Sequence, residues 1–117
     1  MTLPLTGLRV VAVEQAVAAP FATSRLADAG AEVIKIERPE GDFARGYDTA
    51  AAGQSSYFVW LNRGKSSVVM DLTDPADKAR FADLVAGADV LVQNLKRGAL
   101  ARLGFAPEDL RNRHPRL

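Results

Sequence analysis

The sequence predicts an α/β fold, a Rossmann-like open, mostly parallel sheet with flanking helices, filling residues 1–117 around one core. Three observations carry that expectation. Apolar runs of strand length occur at Leu8 to Val13, Glu32 to Ile36, Ser66 to Leu72 and Val90 to Gln93. Helically spaced apolar residues separate the first run from the second and the third from the fourth, which is the pattern of two βαβ units. The composition, 48% hydrophobic and 25% charged over 117 residues, is that of an ordinary globular domain and excludes disorder as the default.

The elements follow in order. Between Pro20 and Ala29 the apolar positions Phe21, Ala22, Leu26 and Ala29 share one helical face, and Gly30 is placed to leave the helix in a left-handed conformation. Arg38 to Gly53, rich in Gly, Asp, Glu, Arg and Ala, reads as an exposed loop, and Tyr57 to Leu61 as a short apolar helix. Asp74 caps a helix with Pro75 in its first turn and Phe81, Leu84, Val85 and Ala88 as its buried stripe. Two short helical pieces follow, Ala99 to Leu103 and Pro107 to Arg113, joined at Gly104. Parallel units of this kind need right-handed crossovers, so helices cover the sheet and the strands supply the core.

Charge and residue usage remove several function classes. Lys plus Arg number 15 and Asp plus Glu 14, so the net charge of +1 gives no general attraction to nucleic acid or to an anionic membrane. The second half is mildly basic: Met1 to Phe58 carries 5 basic and 7 acidic residues, Val59 to Leu117 carries 10 and 7. Without cysteine there is no disulfide, thiolate zinc site or thiol nucleophile, and one histidine builds no histidine metal cluster. The opening MTLPLTGLRVVAV has no basic run before a stretch too short to span a membrane, so a cytoplasmic protein is expected.

In an open parallel sheet, ligands sit beyond the carboxyl ends of the strands. Here that edge comprises Glu14 to Ala19, Glu37 to Arg38, Asp71 to Thr73 and Asn94 to Arg97. Small residues, Ala16 to Ala19, let a ligand approach the backbone where a helix begins. Arg38, Lys96 and Arg97, with Arg102 one helix onward, suit phosphate groups. Charged residues at strand ends are also what ordinary solvated loops contain, and residue types alone leave both readings open. Neither G-x-G-x-x-G nor a Walker loop is present; the first loop reads E-Q-A-V-A-A-P.

The run L-x-G-L-R-V-V at Leu5 to Val11, A-A-P at Ala18 to Pro20, L-A-D-A-G-A-E-V-I-K-I-E-R-P at Leu26 to Pro39 and G-D at Gly41 to Asp42 resembles the family III CoA-transferases. These are also called the carnitine-dehydratase and bile-acid-inducible type (CaiB/BaiF), and include formyl-CoA transferase. The resemblance continues through Y-F at Tyr57, N-R-G-K-S-S at Asn62 to Ser67, M-D-L at Met70 to Leu72, A-D-V-L-V-Q-N at Ala88 to Asn94 and R-L-G at Arg102 to Gly104. It implies transfer of CoA between an acyl-CoA and a free carboxylate. An enzyme aspartate attacks the thioester carbonyl, a mixed anhydride forms, the CoA thiolate returns to give an enzyme thioester, and the acceptor acid takes over.

Coenzyme A is then substrate, with no covalently bound cofactor. The family's adenosine and pantetheine contacts fall on Val17, Ala18, Arg38, Met70, Asp71, Leu72, Thr73, Asn94, Leu95, Lys96 and Arg102. Three positions depart from relatives: Ala19 stands where many have Gly, Val17 where some have Gln, with Gln15 two places earlier, and Thr73 where some have Lys. The nucleophilic aspartate of the family follows a glycine-rich loop and is expected beyond Leu117. Residues 1–117 thus resemble the N-terminal, CoA-binding portion of the family's large domain and are expected to be inactive alone. Asp71 and Asp89 read as capping or strand-end residues.

The resemblance further implies an interlocked homodimer for a full-length chain, with Tyr57 to Leu61 partly covered by a segment outside this sequence. G-D-F-A-R-G-Y-D and S-S-Y-F-V-W-L-N-R-G-K look most like relatives acting on small dicarboxylates such as citramalate, mesaconate or itaconate. The same fold serves α-methylacyl-CoA racemases, and a non-catalytic CoA-binding fragment is a third reading. Lys65 faces either solvent or substrate, Asn94 either closes its own strand end or meets ligand, Phe58 and Trp60 are core or interface aromatics, and His114 is an exposed tail residue.

Overall fold

A computed structural model describes residues 2–117. The chain runs β1 (Arg9–Val13), α1 (Ala18–Asp28), β2 (Glu32–Glu37), a 3-10 turn (Phe43–Gly46), α2 (Ser56–Asn62), β3 (Lys65–Val69), α3 (Pro75–Ala86), β4 (Val90–Gln93), α4 (Ala99–Arg102) and α5 (Pro107–Arg113). The four strands form one sheet in the order β3-β2-β1-β4, and every pairing is parallel. Such an order places successive strands outward from β1 and then returns to its other side, as two βαβ units with right-handed crossovers require.

The two faces of the sheet differ in chemistry. On one face Val11, Val13, Ile34 and Ile36 pack with Met70, Leu72, Phe81, Val85, Leu100, Phe105 and Leu110. Phe81 and Phe105 meet edge-on at 4.7 Å, and the fully buried Phe81 ring contributes about 2–3 kcal/mol of transfer free energy. On the other face Val10, Ala12, Ala31 and Val33 form a smaller apolar cluster under α1. Beyond it, towards the carboxyl ends, the same face turns polar. Because side chains alternate along a strand, Lys35 and Glu37 follow Val33 onto this face.

Local signals explain the element ends. The Asp74 carboxylate accepts the Asp77 N–H at 3.1 Å, with Pro75 in the first turn of α3, as expected. Gly30 has φ +107°, and a Cβ there would lie 2.7 Å from the Leu3 Cβ, so the tight exit from α1 requires glycine. The Asp89 carboxylate accepts the Arg9 N–H at 2.9 Å and fixes the start of β1 against β4, a strand-end role matching its sequence reading.

Three expectations are corrected. The face α1 turns inward carries Ala19, Pro20, Thr23 and Ser24, while Phe21 is 45% exposed and Ala22 is also exposed. The helix is rotated because the sheet face beneath its first turns is polar: the Thr23 hydroxyl donates to Glu14 at 2.6 Å. Next, Arg38 to Gly53 is not simply an exposed loop, since Asp42 and Ala44 are buried and the Asp42 carboxylate caps the 3-10 turn through the Ala44 N–H at 2.9 Å. Finally, β3 starts at Lys65 and ends at Val69, although the Met70 N–H still donates to the Glu37 carbonyl at 3.0 Å. Among the described residues no helix is long and apolar enough to cross a membrane.

Candidate functional site

A cleft of about 400 Å³ opens at the carboxyl edge of the sheet, a volume within the range of small-molecule sites. Its floor is the strand ends, Val13 to Gln15 and Ile36 to Glu37, and its sides are Arg38 to Glu40 with Asp42, Met70 to Thr73, Leu95 and Leu103. The apolar contributors Met70 and Leu72 are buried ends of the main core, whereas Arg38 and Asp71 are exposed at the rim. The Arg38 Nε donates to the Gly41 carbonyl at 2.8 Å and the guanidinium lies 4.0 Å above the Phe43 ring. Both contacts orient the fork, and no carboxylate pairs with it among the described residues. Arg38 therefore offers its terminal N–H groups to an anion at the rim.

Beneath the cleft lies a buried cluster of four charges. Lys35 Nζ donates to Asp42 at 2.8 Å and stands 3.7 Å from Glu14. Lys65 Nζ donates to Glu14 at 2.7 Å, to the Pro20 carbonyl at 2.9 Å and to Asn62 at 3.2 Å. Two ammonium groups balance two carboxylates, and among the described residues no buried side-chain polar atom lacks a partner. Charges removed from water are tolerated only when paired and hydrogen-bonded in this way. Burial nonetheless pushes the Lys65 ammonium below its ordinary pKa, against the opposing pull of Glu14.

Glu37 organises the adjoining wall. Its carboxylate accepts from both the Nε and an Nη of Arg45, from the Asp42 N–H at 2.7 Å and from the Ser67 hydroxyl at 3.0 Å. Led by the Arg45 hydrogen bond, these contacts lower its pKa to about 2. The Arg45 guanidinium also stacks 3.9 Å over Phe58, giving that ring an inward role. At the opposite rim, hydrogen bonds from the Thr73 hydroxyl and N–H, at 2.6 and 2.9 Å, hold the Asp71 carboxylate below its usual pKa.

Of the residues expected from sequence, Arg38, Met70, Asp71, Leu72, Thr73 and Leu95 line the cleft. Val17 and Ala18 are exposed at the start of α1, and Lys96 and Arg102 are exposed outside the lining. Asn94 directly follows β4, outside the cleft lining. Its side chain accepts the Gln15 N–H at 3.0 Å and donates to the Gln15 carbonyl at 2.8 Å, tying the end of β4 to the loop after β1. The Lys65 ammonium is buried away from solvent against Glu14, a residue of the cleft floor. Sequence reasoning passed over Glu14, Lys35 and Asp42; the signal was present in V-I-K-I, where a lysine interrupts a strand buried on both faces.

The sequence profile described as CoA-transferase family III matches residues 5–117. The chain belongs to this family. This family III chain is 44% identical over 115 residues to the acetyl-CoA:oxalate CoA-transferase of Acetobacter aceti, an alignment covering 97% of the chain and 30% of that protein. It is 40% identical over 118 residues to the succinyl-CoA:mesaconate CoA-transferase of Haloarcula hispanica, again covering 97% of the chain and 30% of the relative. It superimposes on the crystal structure of Rv3272 from M. tuberculosis with a TM-score of 0.91 at 41% identity, covering 99% of this chain and 33% of that one. The family III chain thus spans about 30% of the length of the curated relatives it matches.

Proposed function

We propose that residues 1–117 form the N-terminal, CoA-binding portion of a CoA-transferase that moves CoA between an acyl-CoA and a free carboxylate. The observation that carries this reading is the cleft at the strand ends, with an oriented Arg38 fork at its rim and apolar Met70 and Leu72 in its wall, in a chain of family III. A guanidinium at the rim suits the phosphates of CoA, and the apolar wall suits its pantetheine arm. At about 400 Å³ the cleft takes part of so extended a ligand, and Val17, Ala18, Asn94, Lys96 and Arg102 extend the binding surface beyond it.

Aspartates near the cleft have other work: Asp42 pairs with Lys35, and Asp71 is closed by Thr73. Elsewhere, Asp28 pairs with Arg63 and Asp89 holds Arg9. The family resemblance, rather than these contacts, assigns the covalent step to an aspartate after a glycine-rich loop outside residues 1–117, and on that reading the segment alone transfers no CoA. Relatives named for oxalate and mesaconate support a small dicarboxylate, such as mesaconate, citramalate or itaconate, as acceptor. The exposed aromatic surface of Phe21, Tyr57 and Trp60 supports burial of this face in a homodimer.

Calorimetric titration of the protein with CoA tests the reading. Binding is expected, and Arg38→Ala weakens it about tenfold, the loss of one charge-assisted phosphate contact. Equal affinity of wild type and variant removes Arg38 from the site.

A further inference from the structure

The loop after β1 holds an unusual conformation. Ala16 has φ +65°, in the left-handed region where a side chain is strained, and a non-glycine residue stays there only where its surroundings hold it. The fixing contacts come from other strand ends. Asn94 takes both backbone polar groups of Gln15, and the Ala16 N–H donates to the Asp42 carboxylate at 2.8 Å. Asp42 is itself immobile: the same Oδ1 accepts the Ala44 N–H at 2.9 Å, Oδ2 accepts Lys35 Nζ at 2.8 Å, and its own N–H donates to Glu37 at 2.7 Å. One fully buried carboxylate therefore joins two neighbouring cleft segments, Glu14 to Gln15 after β1 and Arg38 to Asp42 after β2.

We propose that Asp42 is a positioning residue for ligand binding: through the Ala16 N–H it holds the strained loop that sets Gln15 in the floor of the cleft whose side carries Arg38. The inference rests on the CoA reading for its ligand but not for its geometry. In this role Asp42 acts through the Ala16 N–H. Without Asp42, Ala16 relaxes to negative φ, Gln15 turns with it, and the cleft floor beside the Arg38 segment loses its shape.

Two variants separate this role from mere support of the fold. Asp42→Ala removes both the Ala16 contact and the charge facing Lys35. Asp42→Asn keeps an Oδ1 that can accept the Ala16 N–H while still removing that charge. Urea unfolding should show both variants destabilised, whereas CoA titration should show Asp42→Ala about tenfold weaker than wild type and Asp42→Asn regaining at least threefold of that loss. Affinities that fall in step with stability in both variants, or an Asp42→Ala protein that binds CoA like wild type, overturn the proposal. In the wild-type protein without ligand, the Ala16 amide proton should resonate far downfield and exchange slowly, as a carboxylate-bonded amide does. Rapid exchange there overturns the proposal without any variant. Absence of CoA binding by wild type overturns the CoA reading instead, and the Ala16 amide still decides whether Asp42 holds the loop.

Discussion

Replacing Lys35 by methionine perturbs the structure at its most demanding point. The side chain keeps its length and apolar stem but loses the ammonium that faces Asp42 at 2.8 Å and Glu14 at 3.7 Å. Glu14 keeps Lys65 and Thr23, so its loss is small. Asp42 keeps only the Ala16 and Ala44 N–H groups and becomes a buried carboxylate without a direct ion-pair partner. Removing one partner of a buried pair costs about 3–5 kcal/mol, and the two remaining amide donors place Lys35→Met near the lower end, about 3 kcal/mol. That is a large part of the roughly 5–15 kcal/mol holding a domain of this size. Equilibrium urea unfolding followed by circular dichroism should show the midpoint lowered by about 1.5–2 M, for a slope of about 1.5–2 kcal/mol/M. Lys35→Met with Asp42→Asn removes both charges and should recover at least half of the loss, because the asparagine oxygen still serves both amides. A single variant within about 1 kcal/mol of wild type, or a double variant no better than the single, refutes the reasoning.

Other consequences concern pH and chemistry. Glu37 has its pKa lowered from 4.5 to about 2, so the stability it contributes is present above pH 4.5 and is lost as pH falls towards 2. The full gap corresponds to about 3 kcal/mol, which screening at the half-exposed Arg45 reduces to about 1–2 kcal/mol. Glu37→Gln should be less stable than wild type by that amount at pH 7, and the two unfolding curves should converge near pH 2; a difference constant across the range removes the Arg45 pair as its source. Incubated with acyl-CoA and hydroxylamine or borohydride, residues 1–117 should acquire no label on Asp28, Asp71 or Asp89, and turnover abolished by changing one of those aspartates would overturn the assignment of the nucleophile.

The fold was legible because each strand announced itself as an apolar run and each long helix ended on a cap or glycine the backbone required. Asp74 with Pro75 and Gly30 are examples. The face of α1 was not legible, because an amphipathic stripe assumes an apolar sheet beneath it. Glu14, Lys35 and Lys65 make that surface polar, and the helix turns Thr23 inward while leaving Phe21 outside. The cleft was half legible. Arg38 and Asp71 to Thr73 follow from where strands end and Met70 from the family resemblance, but Glu14, Lys35 and Asp42 act as a set that no spacing announces, since three separate segments supply it. Asn94 was placed at the right edge, but its bonds to Gln15 were not legible, because they depend on β4 lying beside β1, a fact of topology.

The central claim, that CoA lies across the carboxyl ends of the strands, is tested most directly by titrating the isotope-labelled protein with CoA and following each backbone amide by NMR. The account predicts shifts concentrated at residues 15–18, 38–42, 70–73 and 94–96, with Arg38 and its neighbours among the largest, and no response along the α5 face packed by Leu110. Shifts confined to the exposed aromatic surface around Trp60, or an unchanged spectrum at saturating CoA, would contradict it.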